Sequence, residues 1–337
     1  MPPTIRFAAL AVLALALASG CTSRAAGPPP EPAPPTTETQ GRVGLATASP
    51  YDFADFASAS PAVIEGDLSL PQGEIQGAVI LSHGAGGRGS RQTRMAEWLN
   101  ERGWAALTLD HFGPRGIGST VRDQLRATEQ TMLADLLAAR AWLAAHPRLE
   151  GRPLGVFGWS KGATTAVLAS VERFAGFAGE ARFDFAVAFY PFCGFALDGE
   201  RLAAPLLMLL GAEDDWTPTP PCVRQSQAWA AAGQPVEHVV YEGAEHGFDA
   251  RTLFSFTVGR AITVRDTTPA CTLAVDGQGR SGTLDGVHSL ASVEGRVAFL
   301  EDCGERGVTF GGDSAARRAA YVRIEAFLGA RGAASGG

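Results

Sequence analysis

The stretch Leu154-Gly155-Val156-Phe157-Gly158-Trp159-Ser160-Lys161-Gly162-Ala163 constrains the fold more than any other part of the chain. A short apolar run meets a serine with glycine two residues before it and two after. A helix-forming run, Ser160 to Ser170, follows. The pattern predicts a strand, a sharp turn and a helix, with the serine hydroxyl held at the carboxyl edge of a sheet. The same serine could instead be a plain helix N-cap, a place that serine also favours. The partners elsewhere in the chain decide between the two.

The flanking sequence repeats the strand-then-helix rhythm. Strands are expected over Ala62 to Leu70, Ala78 to Leu81, Trp104 to Leu109, Leu154 to Phe157, Phe185 to Phe189, Leu206 to Leu210 and Val236 to Tyr241. Short continuous apolar runs of this kind suit strands covered on both faces. Helices are expected over Arg91 to Arg102, Val121 to Ala145, Gln225 to Ala232 and Ala315 to Leu328. Alternation of this kind predicts an α/β fold, a mostly parallel central sheet with helices on both faces. Ligand sites in such sheets lie outside the carboxyl ends of the strands.

That rule selects the serine's partners. A serine hydroxyl needs a base to take its proton, and the base needs a group to orient it. In strand–turn–helix hydrolases the acid and then the histidine follow the serine in chain order. After the strand ending at Leu210 comes Gly211-Ala212-Glu213-Asp214-Asp215-Trp216-Thr217-Pro218, and Asp214 is the candidate acid, with Asp215 the alternative. After the strand ending at Tyr241 comes Glu242-Gly243-Ala244-Glu245-His246-Gly247-Phe248, which makes His246 the candidate base. His238 falls inside a strand, and His288 sits in a polar, glycine-rich segment expected to be exposed. The loop His83-Gly84-Ala85-Gly86-Gly87 follows another strand, so Gly84 or Ala85 N–H, together with Lys161 N–H, can form an oxyanion hole. His83 is expected to brace that loop. Trp159 and Trp216 flank the proposed catalytic residues and are candidates to line a substrate pocket, with core packing as the plain alternative. Arg115 also follows a strand. It could meet an anionic substrate group or simply brace loops.

The ends of the chain carry different signals. Arg6, the apolar run Phe7 to Leu17, and Ala18-Ser19-Gly20-Cys21 have the form of a signal peptide over residues 1–20. The run is too short to span a bilayer. The Gly20-Cys21 junction resembles a bacterial lipobox, which makes Cys21 a candidate lipidation site and a lipid anchor the expected membrane contact. The expected location is the periplasm-facing cell envelope, or secretion without an anchor. Residues 21–50, rich in proline and alanine, are expected to be an extended tether, and residues 51–330 the folded domain. Besides Cys21 there remain Cys193, Cys222, Cys271 and Cys303, expected to pair as Cys193–Cys222 and Cys271–Cys303 in an oxidising compartment, with buried free thiols as the alternative. A net charge of −7 and the lack of any basic run offer nothing to a nucleic-acid backbone. No metal-ligand spacing or phosphate-binding glycine pattern is present, so no cofactor is expected.

Several of these motifs, taken in order, resemble the dienelactone hydrolase family: Leu81 to Gly87, Leu109 to Gly116, Gly158 to Gly162, Phe189-Tyr190-Pro191, Gly211 to Pro218 and Glu245 to Phe248. The resemblance runs from about residue 60 to 250 and resumes at Phe310 to Leu328. It implies an α/β-hydrolase fold and a Ser160, Asp214, His246 triad. The namesake enzymes carry cysteine where Ser160 stands, which points to ordinary esters rather than the namesake lactone. The family crosses the interval from about 250 to 312 in far fewer residues. This insertion is expected to hold loops or short strands, and either to wall the active site or to decorate the surface. The expected activity is hydrolysis of a small-molecule carboxylic ester through an acyl-enzyme. A peptidase or amidase on the same fold, or a non-catalytic envelope lipoprotein, are the alternatives.

Overall fold

The computed structural model describes residues 27–178, 182–252 and 254–332. The proposed signal segment and Cys21 lie outside the described residues. An eight-stranded sheet forms the body, in the order β1-β2-β4-β3-β5-β6-β7-β8. Its strands are β1 (Gly41–Ala48), β2 (Pro61–Ser69), β3 (Gly77–Ser82), β4 (Trp104–Asp110), β5 (Leu154–Trp159), β6 (Phe185–Phe189), β7 (Leu206–Gly211) and β8 (Val236–Tyr241). The β1–β2 and β2–β4 pairs are antiparallel, and every pair from β4 to β8 is parallel. The wholly apolar runs become β3, β5, β6 and β7, each buried along its full length.

Two apolar layers cover the sheet. On one face lie α2 (Glu129–Ala144), α3 (Lys161–Ala169), the short α4 (Glu172–Ala175) and α5 (Thr219–Ala231). Leu133, Leu136 and Val167 there meet Ile80, Leu107 and Val156. On the other face, α1 (Ser90–Asn100) and the C-terminal α7 (Ser314–Gly332) bring Met95, Leu99, Ile324 and Phe327 against Val79, Phe157, Phe185 and Leu207. One α2 expectation is corrected. The helix starts at Glu129, not Val121, because Thr128 caps it by accepting from Thr131 N–H, while Asp123 ties up the preceding turn through Leu125 N–H.

The 21–50 tether is also corrected. Residues 41–48 are an edge strand, and the described residues before them, from Gly27 on, contact the body. Arg42 donates to the Gly27 and Pro28 carbonyls, and Trp142 Nε1 donates to Ala33 O. Alternating Val43 and Leu45 supply apolar contacts that a proline-rich composition alone does not advertise.

The insertion is ordered. It contains β9 (Phe256–Thr263), the hairpin strands β10 (Leu273–Val275) and β11 (Ser281–Thr283), α6 (Val293–Cys303), and β12 (Glu305–Phe310), which pairs with β9. Both expected disulfides are present. Cys193–Cys222 joins the loop after β6 to α5, and Cys271–Cys303 joins the approach to β10 to the end of α6.

Candidate active site

The turn between β5 and α3 places Ser160 at φ 53° and ψ −119°, a left-handed conformation rare for a residue with a side chain. Close packing enforces it. A Cβ on Gly158 would lie 2.1 Å from Gly162 O, and one on Gly162 would lie 2.4 Å from Ser82 O. Only glycine lets the strand, the turn and the neighbouring loop approach this closely. Ser160 N–H donates to Phe189 O, which fastens the turn to β6.

Ser160 Oγ lies 3.0 Å from His246 Nε2, and His246 Nδ1 lies 2.8 Å from Asp214 Oδ2. Asp214 is held by its own loop. Its Oδ1 accepts from Trp216 and Thr217 N–H, and its Oδ2 accepts from Thr217 Oγ1. A carboxylate so satisfied fixes the imidazole tautomer that leaves Nε2 free to accept the serine proton. Asp215 is elsewhere. Its carboxylate accepts from Thr309 N–H and Thr309 Oγ1 in β12. The aromatic rings of Tyr190 and Trp216 pack against His246 at 4.6 and 4.7 Å. Tyr190 is the other non-glycine residue with positive φ among the described residues. Its hydroxyl donates to Asp249, and burial pushes its pKa well above the ordinary value.

The loop after β3 lies on the turn. A Cβ on Gly84 would sit 2.9 Å from Trp159 O. This brings Ala85 beside Ser160, and both border one cavity. Lys161 N–H heads helix α3, where backbone N–H groups have no helical partner. Lys161's ammonium is buried and donates to Gln124 O and Oε1, with Glu129 Oε1 at 3.5 Å. Desolvation lowers its pKa. His83 braces the loop. Its Nδ1 donates to Gly84 O and its Nε2 accepts from His111 N–H.

The cavity beside Ser160 has a volume of about 150 Å³. Leu125, Phe192 and Trp216 line it from the body, and Ile262, Leu290, Phe299 and Leu300 line it from the insertion. Two expectations are corrected. Trp159 does not reach this cavity. It is fully buried, stacks on Phe189 and donates through Nε1 to Asp249. Its place is one residue before the turn, on a strand, where a side chain is directed into a packed layer. Arg115 does not reach it either. It makes a two-pronged pair with Asp135 at 2.8 and 2.9 Å and also donates to Ser49 and to the Ala48 and His111 carbonyls. His288 is largely covered rather than exposed, since its ring meets Phe299 and pairs with Asp302.

The dienelactone hydrolase family model matches residues 64–256. The chain belongs to that family. Among curated proteins it is similar to one of Mycobacterium tuberculosis assigned by name to the phosphoribosyl transferases, with 31% identity over 117 residues, which is 34% of this chain and 25% of that protein. It is also similar to an uncharacterized protein of the same organism, with 29% identity over 189 residues, 50% of this chain and 62% of that protein. The chain thus spans less than two thirds of the curated relatives it matches. Among solved structures it is similar to a thermophilic esterase of Thermogutta terrifontis with propionate bound, at 19% identity and a TM-score of 0.46, covering 60% of this chain and 85% of that one.

Proposed function

We propose that the chain is a serine esterase that cleaves small carboxylic esters through an acyl-enzyme on Ser160. The observation that carries this reading is the continuous run of short contacts from Ser160 Oγ through His246 to Asp214, opening on a cavity. His246 Nε2 takes the hydroxyl proton as Ser160 Oγ bonds to the ester carbonyl carbon. The oxygen that becomes negative is met by Lys161 and Ala85 N–H groups. The tetrahedral intermediate collapses, its C–O bond breaks, and His246 returns the proton to the departing alcohol. Water, deprotonated by the same nitrogen, then releases the acid. Asp214 stabilises the imidazolium in both halves.

Export is the second part of the proposal. Two disulfides and the leader-like first twenty residues support an oxidising compartment, with Cys21 as the lipid acceptor. Mass spectrometry of protein from a bacterial envelope fraction would show diacylglycerol on Cys21. An unmodified, uncleaved N-terminus there counts against the anchor.

The enzymatic reading is tested by labelling the purified protein with a fluorophosphonate probe and by comparing matched ester and amide substrates. Labelling at Ser160 with ester turnover is expected. Faster amide than ester cleavage would move the assignment to a peptidase or amidase. No labelling in a protein with intact Asp214 and His246 would leave a binding protein.

A further inference from the structure

We infer that the insertion, residues 256–310, makes this an esterase for compact substrates. One arm of the ester, apolar and no larger than about a benzene ring, seats beside Ser160, and Ile262, Leu290, Phe299 and Leu300 set the limit. This rests on the serine-esterase reading above and adds to it a substrate class and the residues that select it.

Size is the first ground. An apolar cavity of about 150 Å³ accommodates a benzene molecule, and the cavity here has that volume, with Leu125, Phe192, Ile262, Leu290, Phe299 and Leu300 forming its apolar side and Gln124, Glu129, Lys161 and Arg296 its polar border. The two cations at its border, Lys161 and Arg296, are engaged in the protein's own contacts. The three N–H donors of Lys161 match three acceptor oxygens, two on Gln124 and one on Glu129. Glu129 is thereby neutralised.

Fixity is the second ground, because a wall limits size only if it does not yield. The insertion is clamped to the body on several sides of the cavity. Thr263 Oγ1 donates to Trp216 O, and Trp216 Nε1 donates back to Ile262 O. Leu273 exchanges two backbone hydrogen bonds with the loop after β6, from its N–H to Gly194 O and from Ala196 N–H to its own carbonyl. Arg296, nine-tenths buried, donates to Leu290 O within the insertion and to Tyr51 O on the body. Ser281 N–H donates to Asp52. The Cys271–Cys303 bond then ties the approach to the β10 strand to the α6 helix that carries Phe299 and Leu300. A packed interior resists added methylenes, so an arm longer than the cavity must displace these contacts.

The test uses the purified protein and two ester series. In one, p-nitrophenyl esters run from acetate to decanoate. In the other, acetates run from methyl to decyl. In one of the two, kcat/KM is expected to fall by about tenfold or more once the arm exceeds roughly six to eight carbons, since a pocket discriminates by about 10- to 200-fold per poorly fitting methylene. The readout is the ratio of long- to short-arm kcat/KM, so a uniform loss of activity cancels. Phe299→Ala and Leu300→Ala should each move the limit to longer arms, and Ile262→Phe should move it to shorter ones. Flat profiles in both series, or a limit that none of the three variants moves, would overturn the inference. Acetate turnover in those same assays would then leave the serine-esterase reading standing. A folded protein that hydrolyses no ester and takes no fluorophosphonate would overturn both.

Discussion

The body of this protein contains two Ser–His–Asp constellations with nearly the same geometry. In one, Ser160 Oγ lies 3.0 Å from His246 Nε2 and His246 Nδ1 lies 2.8 Å from Asp214. In the other, Ser82 Oγ lies 3.0 Å from His111 Nε2 and His111 Nδ1 lies 2.8 Å from Asp135. Distances alone do not separate them. Surroundings do. Ser160 stands in a strained turn and borders the cavity, with loop and helix N–H groups beside it. Ser82 ends a strand and is fully buried, as are His111 and Asp135. Asp135 is also saturated by the two-pronged contact of Arg115 and by Thr47 Oγ1. A charge already neutralised has little left to stabilise an imidazolium, and a buried hydroxyl has no substrate to attack. The second set is a brace. It joins the ends of β3 and β4 to helix α2 and the edge strand β1.

This difference is best tested by treating both sets alike. The largest effect expected is at the serines. Ser160→Ala should lower kcat by about 10⁴-fold or more, as removal of a serine nucleophile does elsewhere. Ser82→Ala should leave fluorophosphonate labelling in place. Labelling that follows Ser82 rather than Ser160 would reverse the assignment.

At the acids, Asp214→Asn should cost about 10⁴-fold in kcat by presenting the wrong imidazole tautomer, with little change in Tm. Asp135→Asn should do the reverse. It leaves the Arg115 guanidinium without its counter-ion and should destabilise by about 3–5 kcal/mol, read as a lower urea midpoint, while the pH profile of kcat keeps its shape.

His83, packed beside the brace, and Asp135 within it should also make the protein acid-labile. Desolvation, reinforced by neighbouring His111, pushes the His83 pKa down to about 3. Below about pH 6.5 the unfolded chain binds a proton at this histidine that the folded chain refuses, so stability falls from there down to about pH 3. For Asp135, burial opposes ionisation, but Arg115 and the hydrogen bonds from His111 and Arg115 outweigh it and lower the pKa. That contribution is complete above about pH 4 and is lost as pH falls through the folded value. Urea midpoints measured from pH 7 to pH 4 should decline, by on the order of a few kcal/mol in stability. His83→Gln should flatten the part above pH 4. A level profile in the parent protein would show that neither His83 nor Asp135 makes the fold acid-sensitive.

The smallest effect is at Ser82 itself. Ser82→Ala leaves His111 Nε2 without its buried donor and should cost about 1–3 kcal/mol in thermal stability.

The strands, their parallel order and the serine turn were legible in the sequence because each is a local pattern. Apolar runs such as Leu206–Gly211 bury on both faces, and the glycines flanking Ser160 answer a local steric demand. Chain order pointed to His246 and to the loop that holds Asp214 and Asp215, since the carboxyl ends of parallel strands converge on one edge. Spacing could not separate Asp214 from Asp215. Adjacent residues point in different directions, and one reaches His246 while the other reaches Thr309. Trp159 and Arg115 looked like pocket residues because both stand near that edge. Which way a side chain faces there depends on partners distant in sequence, Asp249 for one and Asp135 for the other. The Ser82–His111–Asp135 set left no signal in chain order, since its members come from the end of β3, the residue after β4 and helix α2. The edge strand at 41–48 was hidden in a proline- and alanine-rich stretch because its pairing with β2 supplies the order that its composition does not.

Taken by itself, the sequence determined the α/β framework, the serine turn and the order of its partners, all of which follow from local periodicity and from one topological rule. Only the tertiary structure decided which of two equally spaced Ser–His–Asp sets meets a cavity, and that the insertion walls that cavity. Burial, charge compensation and access are properties of surroundings, and residues far apart along the chain supply them.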